Sequence, residues 1–173
     1  MKKKVLVIDT SMLCVWLKVA GKETCGTNDD RWDYDRVKAI IDEETKSQTL
    51  FVLPMAAIVE TGNHVAHANG DKYSMVNALC DVIIKTAEET SPWAAFTEQS
   101  HLWSKDGLKS LAERWRTTGV TGQSIGDASI VDVAEFYSRI PDHEVEILTG
   151  DAGLKAYQPS KPLPPRFVPR RKQ

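Results

Sequence analysis

The feature that most constrains the fold of this chain is an alternation of short apolar runs with amphipathic stretches. Residues 5–8 read Val-Leu-Val-Ile, and such a continuous apolar run is typical of a parallel strand that is buried on both faces. Residues 49–53 and 145–148 combine β-branched and other apolar residues between turn signals, which predicts two further strands. A further short strand is predicted over residues 93–97.

The segments between these strands show helical spacing of their apolar residues. Polar loops are predicted over residues 21–30 and 117–126. Alternating strands and helices favour an α/β fold, a three-layer α/β/α sandwich around a mainly parallel central sheet. The predicted helices cover residues 12–19, 34–41, 55–68, 71–87, 108–115 and 127–137.

Length and composition favour one folded domain. The chain has 173 residues, of which 42% are hydrophobic, enough for a single buried core. We assign residues 1–158 to this domain. Residues 159–173 hold five of the eight prolines and five basic residues without any acid, which predicts a basic, proline-rich C-terminal tail suited to a polyanion.

Cysteine content and the first residues bear on the compartment. The three cysteines show no CxxC spacing, and an odd number is a poor disulfide framework. The apolar run near the start resembles a signal peptide, but Asp9 interrupts it after four residues. No run approaches the length of a transmembrane helix. We therefore expect a cytoplasmic protein with no membrane association.

Four acidic residues lie where the predicted strands and helices meet. Asp9 and Asp151 follow the first and last strands, Glu60 lies early in the helix after the second strand, and Asp127 begins a later helix. A lone acid of this kind is usually a helix cap or a solvated side chain. In an open α/β sheet, however, the carboxyl ends of the strands form the binding crevice. Carboxylates gathered there repel one another unless a cation is present, and their hard oxygens suit Mg²⁺ or Mn²⁺.

The order of the motifs around these acids resembles the PIN-domain family. The motifs are Val-Leu-Val-Ile-Asp-Thr-Ser, Leu-Pro-Met-Ala-Ala-Ile-Val-Glu, Gly-Asp-Ala-Ser-Ile-Val-Asp-Val-Ala and Ile-Leu-Thr-Gly-Asp-Ala-Gly-Leu. Each is short, and the four in order are more specific than any one of them. The resemblance covers residues 4–157. It implies a PIN-like fold and a metal-dependent endoribonuclease that cleaves RNA phosphodiester bonds with Mg²⁺ or Mn²⁺, as in the toxins of bacterial toxin–antitoxin pairs.

The resemblance also implies roles for particular residues. Asp9, Glu60, Asp127 and Asp151 would be the catalytic, metal-binding acids, and Ser11 would support the first of them. Asp132 stands where the family commonly has a small apolar residue, and it joins the candidates for a supporting or substrate-binding role. RNA is the implied partner. An antitoxin protein would be a second partner of a toxin, and a homodimer is left open.

The helix that carries Glu60 presents further polar residues on the same face. Asn63, His64 and His67 follow at i+3, i+4 and i+7. On one interpretation this face lines the site, with Asn63 or His64 touching phosphate or orienting Glu60. On the other it is a solvated polar face.

Other functions are weighed against the nuclease. A haloacid-dehalogenase-like phosphatase needs a second Asp two residues after the first, where this chain has Ser11. A regulatory receiver domain needs a paired-acid segment near its start that this chain lacks. A non-catalytic PIN-like module that binds RNA or protein remains the main alternative. The five tryptophans are predicted mostly for the core, with Trp115 the best candidate for stacking on a base.

Overall fold

The computed structural model describes residues 2–159, so the tail predicted for residues 159–173 lies outside the described residues from 160 onward. The strands are β1 (Lys3–Ile8), β2 (Cys25–Thr27), β3 (Asp30–Trp32), β4 (Leu50–Val52) and β5 (His143–Leu148). The helices are α1 (Thr10–Trp16), α2 (Tyr34–Lys46), α3 (Met55–His67), α4 (Lys72–Ala87), α5 (Lys105–Thr118), α6 (Ile125–Ser138) and α7 (Ala152–Ala156), with 3₁₀ helices at Phe96–Trp103 and Gly119–Thr121.

A three-stranded parallel sheet forms the centre of the fold. Its strand order is β4-β1-β5, and β1 pairs with β5 over its whole length, from Lys3 opposite His143 to Ile8 opposite Leu148. Because all three strands run in the same direction, their carboxyl ends lie at the same edge of the sheet. The predicted strands at residues 5–8, 49–53 and 145–148 are thereby confirmed.

Both faces of this sheet are covered. Along β1, Leu6 and Ile8 belong to a core shared with α1, α2 and α4, whereas Val5 and Val7 belong to a second core shared with α6. Successive side chains of a strand point to opposite faces, so a continuous apolar run is what a sheet with two covered faces requires. The fold is α/β, and helices on both faces are compatible with an α/β/α layout.

Three predictions about the connections were wrong. The polar loop predicted over residues 21–30 contains β2 and the first residue of β3, which form an antiparallel hairpin. The strand predicted over residues 93–97 is only an isolated bridge from Trp93 to Phe51, because the chain turns into a 3₁₀ helix at Phe96. The loop predicted over residues 117–126 is partly helical, since α5 continues to Thr118.

Within residues 2–159, no helix combines the length and apolar character that crossing a membrane would require.

Candidate functional site

The four acids singled out in the sequence line one pocket at the carboxyl edge of the sheet. Asp9 follows β1, Asp151 lies three residues beyond β5, and α3 and α6 supply Glu60 and Asp127. The pocket has a volume of about 280 Å³. Its lining residues are Asp9, Thr10, Ser11, Cys14, Lys22, Thr24, Cys25, Glu60, His64, Asp127 and Asp151.

Asp9 is the most firmly held of these acids. It caps the amino end of α1 and is buried. Its Oδ1 accepts from the Thr10 amide at 2.6 Å. Its Oδ2 accepts from the Ser11 amide at 3.3 Å, the Ser11 hydroxyl at 2.7 Å and the Thr149 hydroxyl at 2.8 Å. The Ser11 hydroxyl thus contacts Asp9 as the resemblance implied. Four donors fix the carboxylate in one orientation, with Oδ1 the less engaged oxygen.

Thr149 ties the ends of the two paired strands together, and sequence reasoning missed it. Its hydroxyl donates to Asp9 and accepts from the Asp151 amide at 2.9 Å. The Asp151 carboxylate in turn caps α7 by accepting from the Leu154 amide at 2.8 Å. One buried hydroxyl therefore sets the spacing between two of the four acids. Its position between the last strand and Asp151 was the available signal.

Glu60 is positioned by two residues that were not predicted. Its Oε2 accepts from the Thr10 hydroxyl at 2.8 Å. Its carboxylate also lies directly against Gly126, where a Cβ would come within 2.0 Å of Oε1. Gly126 therefore leaves the space that the Glu60 carboxylate occupies, and α3 and α6 approach each other there.

Asp127 lies in the first turn of α6. Ser124 caps this helix, and its hydroxyl accepts from the Asp127 amide at 2.9 Å. Burial raises the pKa of Asp127, and the charges of Asp9, Asp151 and Glu60 raise it further. Burial is the larger cause, so crowding of the acids alone does not explain the shift. The contributions of three other acids nevertheless place all four within one electrostatic neighbourhood.

One cationic side chain and one histidine also line the pocket. Lys22 follows α1, and His64 lies one turn after Glu60 on α3. Burial lowers the pKa of His64, and the positive charge of Lys22 lowers it further. A neutral imidazole can donate or accept a hydrogen bond. Lys22 was missed because it lies in a segment that the sequence marked only as a polar loop.

Two candidate residues do not line this pocket. Asn63 is exposed on α3, and its backbone carbonyl is hydrogen-bonded to His67 Nδ1 at 2.8 Å. Asp132 forms an ion pair with Arg114 of α5 and is largely buried in that contact. The arrangement thus gives Asp132 a bridging position between α5 and α6 and no contact with the pocket.

Trp32 and Trp93 are buried, whereas Trp103 and Trp115 are exposed. Trp93 packs against Trp16, with ring centroids 6.2 Å apart, and edge-on against Phe51 at 5.5 Å. Trp115, the predicted stacking candidate, donates its indole N–H to the Gln123 carbonyl at 2.9 Å and lies over Gly119. It holds the connection between α5 and α6 in place.

The donor chemistry of the pocket suits a hard divalent cation, although the side chains are not closed around one. Four carboxylates and one lysine leave the lining with an excess of negative charge. Among the residues that the structure describes, no three His, Cys, Asp or Glu side chains form a group arranged to hold a metal ion. Mg²⁺ commonly keeps several waters and binds through only one or two carboxylates, so a closed three-residue group is not required for it.

Comparison of the chain with protein-family models, with curated proteins and with solved structures gave no match.

Proposed function

We propose that this protein is a metal-dependent endoribonuclease of the PIN type that hydrolyses RNA phosphodiester bonds. The observation that carries the proposal is that Asp9, Glu60, Asp127 and Asp151, from four separate segments, line the same pocket. A pocket with this charge repels a phosphodiester unless a cation offsets it. The four acids of the PIN-like motifs are therefore the side chains that would hold this cation.

The four acids have two parts in the proposal. Asp9 and Glu60 are held by hydroxyl donors. One or two carboxylates of the set Asp9, Glu60 and Asp127 would bind Mg²⁺ or Mn²⁺ directly, and the others would bind through its waters. The metal, when bound, supplies polarisation of the phosphoryl oxygen and activation of a water. Asp151 engages one oxygen in capping α7 and is exposed, so its other oxygen is available to a metal or to the attacking water.

Lys22 and His64 would act on the substrate. The Lys22 ammonium attracts a phosphate as a point charge, and Lys22 lines the pocket together with Thr24 and Cys25. A neutral His64 can hydrogen-bond to a phosphate oxygen or to Glu60. These residues orient the substrate, and the proposal assigns them no bond-breaking step.

The test is cleavage of a mixed RNA pool by the full-length protein with Mg²⁺, with Mn²⁺ and with a chelator. We expect cleavage that needs metal and is abolished by Asp9→Asn and by Asp127→Asn. Each change removes an anionic ligand and little volume. Asp81→Asn is the matched control, since Asp81 is exposed on α4 and away from the pocket.

A second readout separates metal binding from catalysis. A ligand that binds only the folded state raises the melting temperature by mass action. Mn²⁺ should raise it for the wild type and for Asp81→Asn, and less for Asp9→Asn. Cleavage that survives the chelator or Asp9→Asn would contradict the mechanism. RNA binding without cleavage, whichever metal is supplied, would support the non-catalytic binding module.

The toxin role is a separate part of the proposal. It predicts a small open reading frame directly upstream that encodes a DNA-binding antitoxin, and a complex of the two proteins when they are co-expressed. A nuclease without that neighbour would instead have a housekeeping or defence role.

A further inference from the structure

A second pocket adjoins the acidic pocket at Asp127 and Asp151. Those two acids line both pockets, so the two form one cleft. The second pocket has a volume of about 330 Å³, at the lower end of the range for small-molecule sites. Its other lining residues are Thr121, Gly122, Gln123, Gly153, Leu154 and Tyr157.

One of the residues that line this second pocket is an exposed aromatic residue, Tyr157. Tyr157 ends α7 and is 41% exposed. Leu154, one turn earlier, is buried in the core. The next residue, Gln158, pairs its side-chain amide with both backbone groups of Ile147 on β5, at 2.9 and 3.1 Å. The backbone is thus anchored on both sides of Tyr157, an exposed residue that lines this pocket and also a neighbouring one beside α6.

Gln123 also lines this second pocket, and its backbone is held in place. Gly122, with φ of 101°, turns the chain so that Gln123 lines the pocket. The Gln123 backbone N–H donates to the Thr118 carbonyl at 3.1 Å, and the Gln123 backbone carbonyl accepts from the Trp115 indole. Within residues 2–159, no hydrogen bond engages the Gln123 side chain, so its amide has both a donor and an acceptor available.

We infer that this second pocket is a nucleobase subsite, in which a base of single-stranded RNA stacks on Tyr157 and hydrogen-bonds to the Gln123 amide. The inference rests on the proposed function, because the phosphate attached to that base would lie over the acids that the two pockets share. Aromatic stacking accepts any base, whereas an amide discriminates among the donor and acceptor patterns of base edges. Tyr157 therefore provides affinity and Gln123 provides base preference.

The test measures binding by the full-length protein of the four nucleoside 5′-monophosphates and of ribose 5-phosphate, in the presence of Mg²⁺. We expect every nucleotide to bind more tightly than ribose 5-phosphate. Tyr157→Ala should weaken nucleotide binding about tenfold and leave ribose 5-phosphate unchanged, since stacking is lost. Tyr157→Phe should restore the affinity. Tyr73→Ala, at an exposed tyrosine of α4 outside the cleft, is the matched control.

Gln123→Ala gives a second, independent arm. This variant should reduce the differences in affinity among the four nucleotides, and the nucleotide that binds most tightly should lose the most affinity. This arm stands even if Tyr157→Ala does not fold. Equal binding of nucleotides and ribose 5-phosphate, or no saturable binding at millimolar concentration, would overturn the inference.

The outcomes separate this inference from the proposed nuclease. RNA cleavage together with unchanged nucleotide binding in Tyr157→Ala and Gln123→Ala would leave the nuclease standing and remove the subsite. Nucleotide binding that depends on Tyr157, in a protein that cleaves no RNA, would leave the subsite standing and remove the nuclease.

Discussion

Replacing Gly126 by alanine should displace the Glu60 carboxylate without unfolding the protein. The added Cβ would come within 2.0 Å of Glu60 Oε1, whereas ordinary contact begins at 3.4 Å. Because that oxygen is at the end of a flexible side chain, the carboxylate can move and the helices need not. It must retreat by more than about 1 Å, which is enough to cost about 10²-fold in rate where a reacting geometry depends on it.

The expected change in stability is small because two effects oppose each other. Moving Glu60 removes its hydrogen bond from Thr10, worth about 1 kcal/mol. Alanine in place of glycine within a helix adds up to about 1 kcal/mol. The free energy of unfolding should therefore stay within about 1 kcal/mol of the wild-type value. A loss of activity with an intact fold would then report on the position of Glu60.

The assay pairs initial rates of Mg²⁺-dependent RNA cleavage with thermal unfolding followed by circular dichroism. Gly62→Ala is the matched control, since it lies in the same helix as Glu60 and its Cβ would meet only Leu79 at 3.9 Å. We expect Gly62→Ala to raise the melting temperature by about 2–4 °C for a chain of this size and to keep the full rate.

Two results would refute this reasoning. Wild-type cleavage by Gly126→Ala would mean that the position of Glu60 does not matter to the reaction. An unfolded Gly126→Ala, beside a folded Gly62→Ala, would mean that the contact between α3 and α6 cannot yield and that the cost falls on the fold.

Three further changes test the surroundings of the site. Because the folded-state pKa of Asp127 is raised above its ordinary value of 3.8, its ionisation destabilises the folded protein as the pH rises through that raised pKa. In the presence of chelator, Asp127→Asn should therefore melt higher than wild type at pH 7, and the difference should vanish below pH 3.8; a lower melting temperature at pH 7 would contradict the shift. Thr149→Val removes a donor to Asp9 and should lower the free energy of unfolding by about 1–3 kcal/mol in urea titrations, with cleavage reduced. A loss under about 0.5 kcal/mol would show that the Thr149 hydroxyl is dispensable for stability. Tyr137→Phe removes a hydrogen bond of 2.8 Å to the exposed carboxylate of Glu98 and should lower the free energy of unfolding by about 1 kcal/mol. The rate of cleavage should not change, and a fall in that rate would show that Tyr137 is coupled to the site.

Much of the fold could be predicted because its signals are local. The run at residues 5–8 is apolar at every position, and the structure buries Val5 and Val7 on one face and Leu6 and Ile8 on the other. The hairpin was not predictable in the same way. Cys25 and Gly26 carry no strand signal, and their position depends on close approach to Gly150, where a Cβ would meet Cys25 Sγ at 2.5 Å.

The predictions about the site also divide into those that followed from local signals and chain order and those that depended on packing. Asp9 and Asp151 follow strands that pair in parallel, so their common edge could be inferred from chain order alone. Asn63 and Asp132 were placed by helical spacing and by motif position. Helical spacing groups residues such as Asn63 on one face but does not show which neighbour that face packs against. Motif position likewise did not show that Asp132 forms an ion pair with Arg114.

The strand–helix alternation and the buried centre of the sheet could be inferred from the residues alone, because both follow from periodicity over a few residues. The common edge of Asp9 and Asp151 follows from chain order. Which neighbours hold the four acids depends on how distant segments pack. Thr10 and Gly126 define the position of Glu60, and Thr149 joins Asp9 to Asp151. These contacts join residues far apart in the chain, and their geometry is fixed only when α3, α6 and the strand ends pack together.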